Sequence, residues 1–550
     1  MLTLPSGLQS AVSKLFTNLA SVAGFTLLSR VTGFIRDVML GAILGAGALA
    51  DAFYIAFRLP NHFRAIFGEG AFNAAYVPSY SRVLETEGPG PAKRFSAQIF
   101  TLLLISQIVL LILALVFTKQ LLHLLAPGFA DDPDKMAHAI FMTRITFPYL
   151  LCVTLVTLLA GTMNAHGRFA AAAFAPVLLN IAIVALLAIA FLFPNAGIAA
   201  AVGILAAGTL ELGLMLIAAK RAGLLAVFAR PSWSADIKQF FTAFLPAVIG
   251  SAGVQIAIFA DTIIGSMLPT GGISSIYYAD RLYQLPIGVI GIAAGTVLLP
   301  EMSRRFSSGD DAGALAAQNR TMALTIALAA PFFVVFLAIP GEIIRGVFAR
   351  GAFDEAAVAG SAAVLNAYGA GLLAVVLIRS AVASFQARGD TLTPMYVSLF
   401  AVACNVVIKI FLFKPLGAVG LAIATAAGAW INFGLLAFLA MRRGDMAFDR
   451  TTAKIGLAVA FAAIALFVAL YFGAQPMGVL AGSFPSMRSE AQLLLLAILT
   501  AAVYFPALVM LMLAQGMRPR RLLAGRQAAP PPAADENGGP AVPPDTGRKR

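Results

Sequence analysis

The chain has 550 residues, of which 60% are hydrophobic and only 11% charged, and its mean hydropathy is +0.89. A soluble globular domain of that composition would aggregate, and the two cysteines, Cys152 and Cys404, each inside an apolar run, exclude a disulfide framework and a metal cluster. The net charge of +13 reads as topology rather than nucleic-acid binding, because Lys and Arg gather in the short gaps between apolar runs and in the tail.

Apolar runs of about 20 residues, enough to cross a hydrocarbon core of roughly 30 Å, recur along nearly the whole chain. They predict an all-α polytopic membrane protein of about 14 transmembrane helices, near 14–40, 51–80, 97–122, 137–163, 170–193, 198–220, 238–266, 274–302, 320–346, 355–387, 393–413, 417–441, 453–473 and 490–516. The first run is long, carries Arg30 and Arg36 and lacks a small-residue cleavage site, so it is expected to be a retained span and not a signal peptide. Basic gaps at Arg82, Lys93 and Arg94, at Lys220 and Arg221, at Arg304 and Arg305, and at Arg442 and Arg443 belong in the cytoplasm. The uncharged gaps 194–197 and 268–272 and the acidic Asp131, Asp132 and Asp134 face outside. An even number of spans then puts both termini in the cytoplasm, and the basic, Pro-rich tail 517–550 is expected to be disordered.

The sequence resembles itself at a shift of about 220 residues. Tyr54-Ile-Ala-Phe-Arg58-Leu59 matches Tyr277-Tyr-Ala-Asp-Arg281-Leu282, Val77-Pro-Ser-Tyr-Ser-Arg82 matches Leu299-Pro-Glu-Met-Ser-Arg304, and Ala165-His-Gly167 matches Ala387-Arg-Gly389. Six helices separate matched points, and because six is even the halves enter the membrane in the same direction. This gives two parallel six-helix lobes, 1–235 and 236–445, with two further helices in 446–516 outside the repeat.

Ionisable side chains at mid-bilayer cost roughly 2.5 to 3.5 kcal/mol each on insertion scales, so a cluster of them implies a polar cavity or mutual pairing. The first span holds Arg30, Arg36 and Asp37, the second Asp51, Arg58 and Arg64, and the eighth Asp280 and Arg281. Positions seven apart share a helix face, so Arg30 aligns with Asp37 and Asp51 with Arg58, but two turns separate each pair by about 10 Å. The arginines are therefore not neutralised locally. Any one of them could snorkel or pair for structure, whereas the set points to a cationic cavity. Guanidinium groups suit bidentate capture of phosphate, so the expected substrate is anionic and phosphorylated. Asp261 and Lys409, isolated charges in the seventh and eleventh spans, can pair, and with Asn405 and Thr425 they form an expected ion or polar cluster. Lys409 itself supplies the positive charge that a bound cation would bring. No catalytic residues, metal ligands, cofactor motif or P-loop stand out, which reads as a chain that is not an enzyme.

At these residues the sequence resembles the MurJ/MviN family of bacterial lipid II flippases, within the superfamily of multidrug and polysaccharide exporters. The resemblance is carried by Ser29-Arg-Val-Thr-Gly-Phe-Ile-Arg-Asp37, Asp51-Ala-Phe-Tyr-Ile-Ala-Phe-Arg-Leu-Pro-Asn61, Phe67-Gly-Glu-Gly-Ala-Phe-Asn73, Ala126-Pro-Gly-Phe-Ala-Asp131, Phe147-Pro-Tyr-Leu150 and Tyr277-Tyr-Ala-Asp-Arg-Leu282. It implies a flippase of the inner membrane that carries lipid II, an undecaprenyl-pyrophosphate-linked disaccharide peptide, from the cytoplasmic to the periplasmic leaflet by alternating access. The family's functional arginines fall on Arg30, Arg36, Arg64 and Arg281, with an acidic partner at Asp51, and Arg58 is the repeat counterpart of Arg281. The last two helices would form a groove for the lipid tail, and membrane potential or an ion gradient would drive transport. Gln284 stands where some members carry a glutamate, and Lys409 where relatives with a sodium site have an acid. A monomer without a cofactor is expected, meeting lipid II, the membrane and the cell-wall synthesis or division machinery. The competing reading is an exporter of another polyprenyl-linked or amphiphilic substrate on the same fold.

Overall fold

The computed structural model describes residues 6–67, 70–226, 228–447 and 449–517, and it is α-helical with no strand among them. In chain order α1 (Ser6–Leu44) leads to α2 (Ala48–Phe67) and α3 (Gly70–Thr86), which together occupy the second expected span. Next come α4 (Pro89–Val116), the short α5 (Thr118–Leu125), a tight turn at Pro127–Asp131, α6 (Pro133–Thr146) and α7 (Pro148–Ala165), then α8 (Ala170–Ala188) and α9 (Ala196–Arg221). The fourth expected span is thus broken at Pro148, whose ring nitrogen has no hydrogen to continue the helix ladder.

The second half begins with α10 (Ala235–Ser266) and α11 (Gly272–Pro286), passes through one wide π turn at Ile287–Gly291, and resumes as α12 (Ile292–Ser307). It continues with α13 (Asp311–Ala338), the short α14 (Pro340–Phe348), α15 (Glu355–Gly369), α16 (Leu372–Gln386) and α17 (Leu392–Arg442). The eleventh and twelfth expected spans run on as α17, bent at Gly417 (φ 56°, ψ −134°). Finally, α18 (Arg450–Ala481) and α19 (Arg488–Ala514) pack on each other. From residue 518 on, the expected tail lies outside the described residues.

Helix starts follow ordinary capping chemistry. The side chains of Asp132, Asn195, Asp310, Asp354 and Asp449 each accept from the backbone N–H three residues on, and Pro89, Pro133 and Pro340 sit in first turns, where no N–H is missed. Among the described residues, nine helical stretches are long and apolar enough to cross a membrane. Their outward faces keep Ile105, Ile108, Val109 and Ile112 on α4, Phe461, Ile464 and Val468 on α18, and Leu494, Ile498 and Phe505 on α19 exposed. Apolar surface of that extent is stable against lipid and not against water, as befits a multi-pass membrane protein.

Packing partners divide by half. α8 packs on α1 and α9, and α7 on α9, α3 and α4, while α13, α15, α16, α17 and α18 pack among themselves. α10 bridges them, touching α2 and α3 on one side and α17 on the other. The halves also meet at one end in a backbone seam. Ala352 N donates to Ala42 O at 2.8 Å, and Tyr278 Oη donates to Gly45 O at 2.9 Å. Gly45 (φ +63°) and Gly351 (φ +58°) face Ala352 and Ala42 so closely that a Cβ on either would overlap a carbonyl oxygen.

Candidate functional site

Asp51, in the first turn of α2, is fully buried in this seam. Its carboxylate accepts from Lys135 Nζ at 2.9 Å, from the backbone N–H groups of Gly271 at 2.8 Å and Ser274 at 2.9 Å, and from Ser274 Oγ at 2.5 Å. It therefore caps the start of α11 from the opposite half, where the positive end of the helix dipole favours a carboxylate. The sequence reading placed Asp51 with the cavity arginines. Here it lines neither polar cavity described below, because its acceptor positions are taken up by Lys135 and the α11 N-terminus.

Toward the middle of the bundle, the repeat-related tyrosines Tyr54 and Tyr277 stack on each other with ring centroids 3.9 Å apart. Tyr277 Oη donates to Asp37 Oδ1 at 2.8 Å, and the same oxygen accepts from Arg36 Nε at 2.9 Å and Nη2 at 2.7 Å. Arg36 Nη1 donates to Asn180 Oδ1 at 2.9 Å, while the Asn180 amide donates to Ser29 O at 2.9 Å and to Thr32 Oγ1 at 3.1 Å. Asp37 thus fixes its neighbour, not Arg30 one face along. Arg281 lies over the Tyr277 ring, 4.6 Å from its centroid, with Nε 3.7 Å from Asp37 Oδ2. That separation is beyond hydrogen-bond reach but keeps the two groups ion-paired, so Tyr277 and Asp37 orient Arg281, whose buried Nε has no hydrogen-bond partner among the described residues, at the wall of a polar cavity.

Arg36, Arg64 and Arg281 converge on one cavity of about 370 Å³, between α1, α2, α3, α7, α8, α9 and α11. Asn61, Asn73 and Glu211 add amides and a carboxylate to its lining. Three guanidinium groups face Glu211 in the lining and Asp37 behind it, which engages Arg36, so the chamber keeps a net positive charge suited to an anion through charge-assisted contacts.

A second cavity of about 440 Å³ is lined by Arg58, His62, Asp261, Asp280, Gln284, Tyr368, Lys409 and Thr425. Lys409 Nζ meets Asp261 Oδ1 at 2.5 Å, so the two isolated charges of the sequence do pair. His62 Nε2 and Thr262 Oγ1 are 2.8 Å apart, and Gln284 hydrogen-bonds Asp280. Asn405 does not line this cavity. Its amide donates to Ala424 O at 3.0 Å, tying together the two limbs of α17. Arg30 lies apart from both chambers on an exposed stretch of α1, with its guanidinium against Gly288 in the π turn.

Sequence reasoning missed the holders, Asn180 and Tyr277, and two lining amides, Asn61 and Asn73. The last three lie inside the quoted motifs, and polar amides in apolar spans were the available signal.

A family model described as "Lipid II flippase MurJ" matches residues 40–487. A curated relative, "Probable lipid II flippase MurJ" of Rhizobium meliloti (strain 1021), is 40% identical over 468 residues, covering 83% of this chain and 87% of that one. Among solved structures, one described as "Lipid II flippase MurJ, inward closed conformation" superposes with a TM-score of 0.74 at 22% identity, covering 90% of this chain and 99% of that one. An inward-facing multidrug resistance MATE family transporter of the MOP superfamily gives 0.64 at 14% identity, covering 77% and 97%. These two likenesses establish the fold.

Proposed function

The chain belongs to the lipid II flippase MurJ family, and on that premise we propose that it moves lipid II from the cytoplasmic to the periplasmic leaflet by alternating access of two six-helix lobes. The observation that carries this reading is the convergence of Arg36, Arg64 and Arg281, from both halves of the chain, on one chamber inside an apolar bundle. In our reading they hold the pyrophosphate while the sugar-peptide head crosses.

The chain passes the membrane fourteen times in this account, with α2 and α3, α6 and α7, α11 and α12, and α15 and α16 each forming one broken pass and α17 forming two. Both termini are cytoplasmic, so the seam at Asp51 and Gly45 is the periplasmic gate, shut in this conformation. The lipid tail remains outside the lobes. An apolar groove of about 760 Å³ between α1, α14 and α19, lined by Phe34, Ile35, Val38, Leu493 and Leu494, supports a role for α19 in holding it. An inside-negative potential favours outward movement of an anion by about 2.3 kcal/mol per charge per 100 mV, enough to drive net export without nucleotide. The protein works as a monomer beside the cell-wall synthesis machinery.

Depletion of the protein followed by an assay for lipid II at the outer leaflet tests the function. Outer-leaflet lipid II should fall, and Arg64→Ala or Arg281→Ala should fail to restore it at wild-type expression. Unchanged outer-leaflet lipid II on depletion would overturn the reading.

A further inference from the structure

The internal repeat distributes its side chains between the two chambers in a regular way. Phe57 and Asn61 line the first chamber, and their repeat counterparts, Asp280 and Gln284, line the second, so each half furnishes its own cavity. The arginines cross over. Arg281 of the second half enters the first chamber, and Arg58 of the first half enters the second.

The same repeat thereby makes two chambers of different charge. The first holds three arginines against Glu211 and the adjoining Asp37 and remains cationic. In the second, Arg58 and Lys409 are balanced by Asp261 and Asp280. Lys409 is engaged by Asp261, and Asp280 by Gln284. Arg58 makes no hydrogen bond or ion pair with a described residue, although it is half-buried. A chamber of zero net charge gains little from a pyrophosphate, which belongs with the three arginines. It fits a group that brings a carboxylate to the free guanidinium and an amide or ammonium to the acids beside it.

We propose that the second chamber receives the peptide part of the lipid-linked head group, with a peptide carboxylate on Arg58 and peptide N–H or ammonium groups on Asp280 and Gln284. This rests on the flippase reading above and divides the head group between the chambers, pyrophosphate in the first and peptide in the second. Arg58 becomes a specificity-determining residue rather than a further pyrophosphate ligand.

The test uses the full chain in proteoliposomes with two substrates, the polyprenyl-pyrophosphoryl disaccharide with its peptide and the same lipid without it. Arg58→Gln should slow translocation of the peptide-bearing lipid about tenfold, the loss of one charge-assisted pair, and leave the peptide-free lipid at the wild-type rate. Arg281→Ala should slow both alike. Arg58→Lys, which keeps the charge and loses the fork, should show a smaller loss with the same selectivity, and it carries the test if the glutamine variant does not accumulate. If either Arg58 variant slows the two lipids in equal proportion, or slows neither, the assignment is overturned while the flippase reading stands. If the wild type translocates neither lipid, both fall.

Discussion

Replacing Asp51 with asparagine tests the seam directly. The wild-type carboxylate holds the buried ammonium of Lys135, whose side chain is 4% exposed, and three donors of α11 from the other half. Asparagine keeps one acceptor oxygen, turns an N–H₂ group toward donors, and leaves Lys135 charged without a counter-ion. Breaking a buried pair from one side costs about 3 to 5 kcal/mol, and hydrogen bonds to a charged group are worth about 1.5 to 3 kcal/mol each. Part of this cost persists when the seam opens, because Lys135 and Asp51 lie in the same half, so a shift of about 3 kcal/mol against the closed state is expected. That corresponds to roughly a hundredfold change in the closed-to-open ratio. A cysteine pair at Ala42→Cys and Ala352→Cys, with Cys152 and Cys404 replaced by serine, reports closure, since Ala352 N and Ala42 O are 2.8 Å apart. Disulfide formation should be at least about tenfold slower with Asp51→Asn and should recover in part with Lys135→Met added. An unchanged rate in a well-expressed Asp51→Asn protein would refute the seam as a lock held by this carboxylate.

The Asp261–Lys409 pair should behave asymmetrically. Asp261→Asn strands an ammonium whose side chain is 5% exposed, but Asp261 itself is 43% exposed and partly screened, so the thermal midpoint in detergent should fall at a cost of only about 1 to 2 kcal/mol, most of which Asp261→Asn with Lys409→Met should regain. A double variant no more stable than the single one would sink the pairing. Gly128→Ala would drive a Cβ into the backbone of Ser266 and Met267, which cannot swing aside, and should destabilise by at least about 1 to 3 kcal/mol. Gly213→Ala, with open space at the Cβ position inside α9, should instead stabilise by about 0.5 to 1 kcal/mol, and thermal unfolding of the two variants distinguishes them. In the turn just before α17, Asp390 accepts from the backbone N–H and hydroxyl of Thr393 and from Arg443, which hold its carboxyl down to about 2. Its folded value lies below the unfolded one, so its contribution is complete above about pH 4 and lost as the pH falls toward 2. Protection of the Thr393 amide, taken relative to its intrinsic exchange rate at each pH, should therefore fall only below about pH 4, and a fall between pH 8 and 5 would contradict the assignment.

How far the sequence could be read depended on distance along the chain. Spans and their polar gaps were legible because hydropathy is local, whereas the break at Pro148 lay inside an expected span, because hydropathy runs on across a proline that ends the helix ladder. The intramembrane charges were legible as a set, since each is costly alone. Their pairings were legible only where few partners existed, as for Asp261 and Lys409. Facing rules on one helix aligned Arg30 with Asp37 and Asp51 with Arg58, yet Asp37 took the adjacent Arg36, and Asp51 took Lys135 and the start of α11, some 220 residues away. Nothing local encodes such contacts. The repeat came closest, matching Tyr54 with Tyr277 before their stacking was known, but a match in register does not say that two residues touch, or that the arginines one turn on would exchange halves.

The central claim is that the arginines of the first chamber carry lipid II across the membrane. Its most direct measurement is translocation of lipid II in proteoliposomes of the purified chain, comparing wild type with a variant bearing Arg64→Ala and Arg281→Ala together, which leaves the buried Arg36–Asp37 pair intact. Translocation by the wild type and a loss of at least about tenfold in the variant are expected, with folding preserved as judged by its thermal midpoint. A variant that moves lipid II at the wild-type rate would contradict it.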